Sequence, residues 1–177
     1  MGHIDESYAL VSFIVKLASE NGRLGKKAAQ KLMHIITSLG RVPSKYKFQL
    51  YTYGPFSREL AGDMDILDTL EAISISYDSD KNAYEIHSGP RSEEILNRYK
   101  DFLEANSPVI QPLIERFRGR LAKQLEVTST LLFIIENNLI DDVQDDEVVI
   151  NKFSEIKPHY SKGEIVPALS ELRQFLN

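Results

Sequence analysis

A chain of 177 residues, 42% hydrophobic and 27% charged, holds enough apolar material for one domain, or two small intimately packed ones, without a covalent staple. It contains no cysteine, which excludes disulfides, thiolate catalysis and cysteine metal sites and fits a reducing cytosol. The formal net charge of −5 argues mildly against general nucleic-acid affinity, and the longest apolar run, Leu131 to Ile135, is far too short for a bilayer.

The opening MGHIDESYAL lacks a basic n-region and a long apolar run, so no signal peptide is expected and the expected location is cytoplasmic. Leu10, Phe13, Ile14, Leu17 and Ala18 recur at helical spacing and predict a first helix over about 6–21, stopped at Asn21-Gly22. Ala29, Leu32, Met33 and Ile36 predict a second helix over about 26–39 that ends at Gly40, with its lysines on the remaining face. Val42-Pro43-Ser44 reads as a turn and 46–53 as a short strand stopped by Gly54-Pro55. Ser57 is a good N-cap for a third helix to about Leu70, with Leu60, Met64 and Leu67 inward. Ile73, Ile75 and Tyr77, turn residues 78–82, then Tyr84 and Ile86 predict a β-hairpin.

Ser88-Gly89-Pro90 is the best internal boundary, and after it the pattern is helical. Ser92 caps a helix carrying Ile95, Leu96, Tyr99, Phe102 and Leu103, and Ser107-Pro108 reads as the start of another. That one buries Ile110, Leu113, Ile114, Phe117 and Leu121, then continues or breaks near Gly119 into a central apolar helix over about 125–139. The acids of 141–147 lead into a short helix with Val149, Ile150 and Phe153, ended by Lys157-Pro158. Ser161 and Glu164 match a capping box for the last helix, although Pro167 conflicts with so early a start.

Helix, helix, strand, helix, hairpin is the order of a winged-helix module. The predicted fold is therefore mainly α (α+β): a winged-helix-like N-terminal module over 1–88 and a C-terminal helical bundle over 89–177, packed as one compact unit.

Charge is distributed unevenly. Between Arg23 and Arg58 every formal charge is positive, including Lys26, Lys27, Lys31, Lys45 and Lys47; between Glu59 and Asp80 every one is negative. Two solvated faces account for this switch as well as a binding surface does. Lys26, Lys27, Lys31, Lys45, Lys47 and Arg58 are the candidate partner or nucleic-acid surface, and Tyr53, Gly54, Pro55, Phe56 and Ser57 form a structural turn motif.

No constellation specifies a reaction. His3, His34, His87 and His159 lack metal-ligand spacing, and His34 reads as a partly buried structural residue. The acidic run lacks the loop glycine and closing glutamate of a calcium-binding loop, and acids at a helix N-terminus are explained by the dipole. There is no phosphate-binding glycine loop, and Ser57 lacks the flanking glycines of a nucleophile elbow. An enzyme would need a pocket, which Tyr51, Tyr53 and His34 are placed to line. A DNA-reading helix would carry Arg58 against Glu59, Asp63, Asp65, Asp68 and Glu71, and phosphates oppose such docking. DNA would have to use the lysine side instead.

The stretch Lys26-Lys27-Ala28-Ala29-Gln30-Lys31-Leu32, then Phe48, then Tyr53-Gly54-Pro55-Phe56-Ser57-Arg58-Glu59-Leu60, resembles the YwgA-like group of poorly characterised prokaryotic proteins. The segment from Leu125 to Leu132, Lys157-Pro158-His159-Tyr160-Ser161 and the final helix share the likeness. More distantly, the helix and the Gly-Pro turn resemble Panacea-type antitoxin domains. The first resemblance implies a non-enzymatic protein of bacteria, archaea or mobile elements, and the second adds toxin neutralisation by direct binding. The expected function is a non-enzymatic protein-interaction or regulatory module, with a protein partner, no cofactor, no metal and no membrane. The alternative is a winged-helix DNA-binding regulator using the basic 23–58 surface.

Overall fold

In the computed structural model, which describes residues 5–177, the chain is mainly helical with two small antiparallel strand pairs, an α+β architecture. Residues 1–4, His3 among them, lie outside the described part. Helix α1 (Glu6–Ser19) begins where Asp5 Oδ1 accepts the Ser7 N–H at 2.9 Å. Ala9, Leu10, Val11, Ser12, Ile14 and Val15 are all buried, so α1 is covered on nearly every side. Helix α2 (Lys26–Leu39) ends at Gly40 as its sequence predicts.

Strands β1 (Gln49–Tyr51) and β2 (Gly54–Phe56) form a tight hairpin with Gln49 opposite Phe56 and Tyr51 opposite Gly54. This corrects the single strand over 46–53. Thr52 and Tyr53 make the turn, and Gly54, with φ +84, a left-handed conformation natural to glycine, opens the returning strand instead of stopping the first. Pro55, lacking an N–H, sits in a two-stranded ribbon where every strand is an edge. Helix α3 (Arg58–Thr69) follows, with Ser57 Oγ accepting the Leu60 N–H at 3.2 Å. Gln30 fixes this joint from α2: its amide donates to the Ser57 carbonyl at 3.0 Å and accepts the Ser57 N–H at 2.9 Å. Strands β3 (Ile73–Asp78) and β4 (Ala83–Ser88) pair from Ile73↔Ser88 to Asp78↔Ala83, as the alternation predicts.

Helix α4 (Ser92–Arg98) breaks at Tyr99 (φ −115, ψ 32), and α5 runs from Lys100–Phe117 without interruption. The helix expected to start at Ser107-Pro108 thus starts earlier. Pro108 and Pro112 each delete one backbone hydrogen bond inside α5. Buried Leu103 on one side of Pro108, and Ile110, Leu113 and Ile114 on the other, hold the helix together across that loss. Gly119 (φ +77) makes the predicted break before α6 (Ala122–Glu136). Helix α7 (Asp146–Ile156) starts where Asp145 Oδ1 accepts the Glu147 N–H at 2.9 Å, which accounts for the acidic run. Helix α8 (Lys162–Leu176) begins at its capping box, where Glu164 accepts the Ser161 N–H at 2.9 Å, and continues through Pro167.

One cluster of buried side chains runs from Tyr8 through Ile86 and Ile95 to Leu125, crossing Ser88–Pro90 without a gap. A second joins Val127, Leu131, Leu132 and Ile134 of α6 to Val149, Phe153, Ile165 and Leu169 of α7 and α8. Helix α6 is therefore central, with α2 and β2 packed on one side and α7 and α8 on another. Burying one such aliphatic side chain stabilises by ~1.5–3 kcal/mol, more than a surface ion pair contributes. Among the described residues no helix is long and apolar enough to cross a membrane.

Candidate functional site

The first turn of α2, the β1–β2 hairpin and the start of β4 enclose a cleft of ≈ 710 Å³. Tyr51, Tyr53, Phe56, Met64 and Tyr84 give it apolar walls. Tyr51 packs edge-on against Phe56 with ring centroids 5.5 Å apart. Lys27 Nζ stands 3.6 Å from the centre of the Tyr53 ring, a cation–π contact at the rim. Lys26, Lys27 and Lys31 line the cleft, and among the described residues no Asp or Glu does.

The expectation that the lysines of α2 lie on an open face fails at Lys31, which is only 3% exposed. Helix α2 is covered by α6 and β2 as well as by the α1–α5 side, so every residue from Ala28 to Ile36 is buried, the polar Gln30, Lys31 and His34 included. Burial lowers the Lys31 ammonium to about 8, against the opposing pull of Glu126. Glu126 itself, buried on α6, pairs with Lys157 Nζ at 2.8 Å. Lys157 also donates to the Thr52 carbonyl, which ties the turn of the hairpin to the end of α7. Burial first, and Glu126 second, push the Tyr160 hydroxyl upward. The pivot is Gly54: a Cβ there would stand 3.0 Å from Glu126 Cγ, 3.0 Å from Thr130 Oγ1 and 3.7 Å from Lys31 Cε.

The remaining predicted cations lie elsewhere. Lys45 is engaged by Asp63 at 2.9 Å and Asp5 at 3.1 Å, beside the Tyr46 hydroxyl, which donates to Asp63 at 2.8 Å. Burial, then Asp63, pushes that phenol far up, so it stays protonated. Lys47 is exposed, and its main-chain N–H donates to the Glu59 carboxylate at 3.3 Å. Arg58 is exposed over Tyr51, 5.8 Å from the ring centre. Lys26 reaches Asp65 at 3.4 Å, and Arg23 pairs with Asp78 at 2.6 Å and with Glu85. Three ion pairs, Arg23–Asp78, Lys26–Asp65 and Lys45–Asp63, thus join the positive segment to the negative one.

His34 does not join Tyr51 and Tyr53. It faces a different depression with Phe48, Phe133 and Glu136. There Ser129 Oγ lies 2.7 Å from His34 Nδ1 and Glu136 Oε2 lies 3.4 Å from Nε2. This serine–histidine–glutamate chain has no sequence signal, because Ser129 is 95 positions away. Ser129 is 0% exposed, so its Oγ meets no substrate and the chain is a link between α2 and α6. Glu126, Thr130 and Lys157, which complete the surroundings of Lys31, were equally invisible to spacing.

No family model matches the chain. The uncharacterised protein YwgA of Bacillus subtilis (strain 168) is 22% identical to it over 162 residues, which is 91% of this chain and 95% of that protein. The similarity crosses both halves of the chain and supports the YwgA-like resemblance, while it does not bear on the Panacea-type likeness.

Proposed function

We propose that this protein is a non-enzymatic interaction or regulatory module, winged-helix-like in its arrangement of α2, α3 and the β3–β4 wing, that holds a protein partner at the Tyr51–Tyr53–Tyr84 cleft. The observation that carries the reading is a rim of tyrosines and lysines around an apolar hollow lined by no acid. Tyr53 is 55% exposed and Tyr84 51%, an arrangement with little purpose in a monomer's core but typical of interface anchors. The partner that fits is a protein segment presenting an apolar side chain beside a carboxylate. Toxin neutralisation of the Panacea type is one form such binding would take.

The partner is to be captured from the native host, purified, and titrated against the wild type, Tyr53→Ala and Lys27→Glu. At least tenfold weaker binding by both variants is expected, since an aromatic anchor contributes ~2 kcal/mol or more. Duplex binding that falls steeply with salt and is lost in Lys27→Glu and Arg58→Glu, with no effect of Tyr53→Ala on any protein complex, would replace this reading by the DNA one.

A further inference from the structure

The interior beside the cleft is short of one negative charge. Lys31 and Lys157 place two ammonium groups against the single carboxylate of Glu126, and Lys157 takes that carboxylate at 2.8 Å. Among the described residues Lys31 makes no hydrogen bond and no ion pair, although it is 97% buried by its 3% exposure and lines the cleft. An ammonium left in that state is costly unless something supplies the counter-charge. Thr130 Oγ1, fully buried next to the Gly54 backbone, is also without a hydrogen-bond partner. The first turn of α2 opens at the same place: Gly25, Lys26, Lys27 and Ala28 line the cleft, and no side chain caps the helix.

We propose that Lys31 is the anion anchor of a small-ligand site, and that the cleft takes an amphipathic monocarboxylate with its carboxylate against Lys31 and its aromatic or aliphatic body among Tyr51, Tyr53, Phe56 and Tyr84. A single charge suffices because a single buried ammonium is uncompensated. A volume of ≈ 710 Å³ lies within the ~300–1,000 Å³ of small-ligand sites. The inference rests on the cleft being the recognition site but not on the protein partner, with which a bound acid would compete.

Calorimetric titration of the full chain with 3-phenylpropionate, and with 3-phenylpropionamide as its neutral counterpart, tests it. The acid should bind about tenfold or more tightly than the amide at pH 7, as expected for a charge-assisted contact. Lys31→Met should bind both alike. The acid binds as its carboxylate to the ammonium form, so its advantage over the amide should be full between about pH 6 and about pH 8 and fall above that toward the amide's affinity. The charged and titratable groups facing Lys31 or the cleft are Lys26 and Lys27 of α2, Glu126 of α6, Lys157 after α7, and Tyr51, Tyr53 and Tyr84. A wild type that binds neither probe, or binds both equally, overturns the proposal without any variant, and so does retention of the preference in a folded Lys31→Met. Either result, with partner binding still lost in Tyr53→Ala, removes the anion site and leaves the docking cleft standing.

Discussion

Replacing Gly54 by alanine should destabilise the protein by ~2–5 kcal/mol, whereas Gly119→Ala should cost only ~1–2 kcal/mol. Both glycines have left-handed backbones, φ +84 and φ +77, so both variants carry the same conformational penalty for a Cβ. They differ in what the methyl meets. At Gly119 nothing stands within 4 Å, but at Gly54 it meets Glu126 Cγ and Thr130 Oγ1 at 3.0 Å each. Glu126 cannot swing aside freely, because Lys157 holds its carboxylate at 2.8 Å and α6 is buried around it. Overpacking of this kind adds ~1–3 kcal/mol to the backbone term. Urea unfolding at pH 7 measures both variants against the wild type, with unchanged m-values showing that the unfolded state is comparable. Equal losses in the two variants, within ~0.5 kcal/mol, would refute the claim that the hairpin is seated directly on α6.

Lys157→Met takes from the buried Glu126 carboxylate its partner at 2.8 Å and removes the donor to the Thr52 carbonyl. A loss of ~3–5 kcal/mol is expected by chemical denaturation, and adding Glu126→Gln should recover part of it. The Glu171 carboxylate is held below the usual range first by hydrogen bonds from Arg120, at 2.7 Å to each oxygen, and further by Arg116. Because the folded value is depressed, this stabilisation is complete above about pH 4.5 and is lost as pH falls through the lower folded value. The stability gap between wild type and Arg120→Ala, ~1 kcal/mol at pH 7, should therefore close as pH falls below about 4.5, and a gap that is constant with pH would contradict the assignment. Ser57→Ala removes the acceptor of the Leu60 N–H and should cost ~1 kcal/mol, with faster hydrogen exchange at the Leu60 amide as the site-specific readout.

What the chain reveals by itself depends on how local the cause is. Helices α1, α2 and α3 and the β3–β4 hairpin follow from periodicity and from caps within a few residues, such as Ser57 to Leu60 and Asp145 to Glu147. The β1–β2 hairpin does not, because three-residue strands are too short to show an alternation, and glycine-proline is ambiguous between a stop and a reversal. At Ser107-Pro108 the local rule points to a helix start, and it loses to the core contacts of Leu103, Ile110 and Leu113 on either side. The Ser129–His34–Glu136 chain and the Lys157–Glu126 pair bring together residues dozens of positions apart, for which spacing carries no information.

Charge shows the same limit at Lys31. The sign of the 23–58 segment is visible in the sequence, but the direction in which each lysine points is not. An amphipathic α2 with a stripe at Ala29, Leu32, Met33 and Ile36 would put Lys31 in water. The real α2 lies between two sets of neighbours, and a helix so placed has no solvated face along its middle. A lysine there can reach water only through a gap in its surroundings, and the gap beside Lys31 is the tyrosine-walled cleft. Ala28 and Ile35, one helical turn away on either side of it, are buried apolar residues, and an apolar side chain at 31 would continue their face and avoid the desolvation that lowers the ammonium. A lysine kept at that position, with Glu126 already committed to Lys157, is accounted for by a ligand that brings its own negative charge.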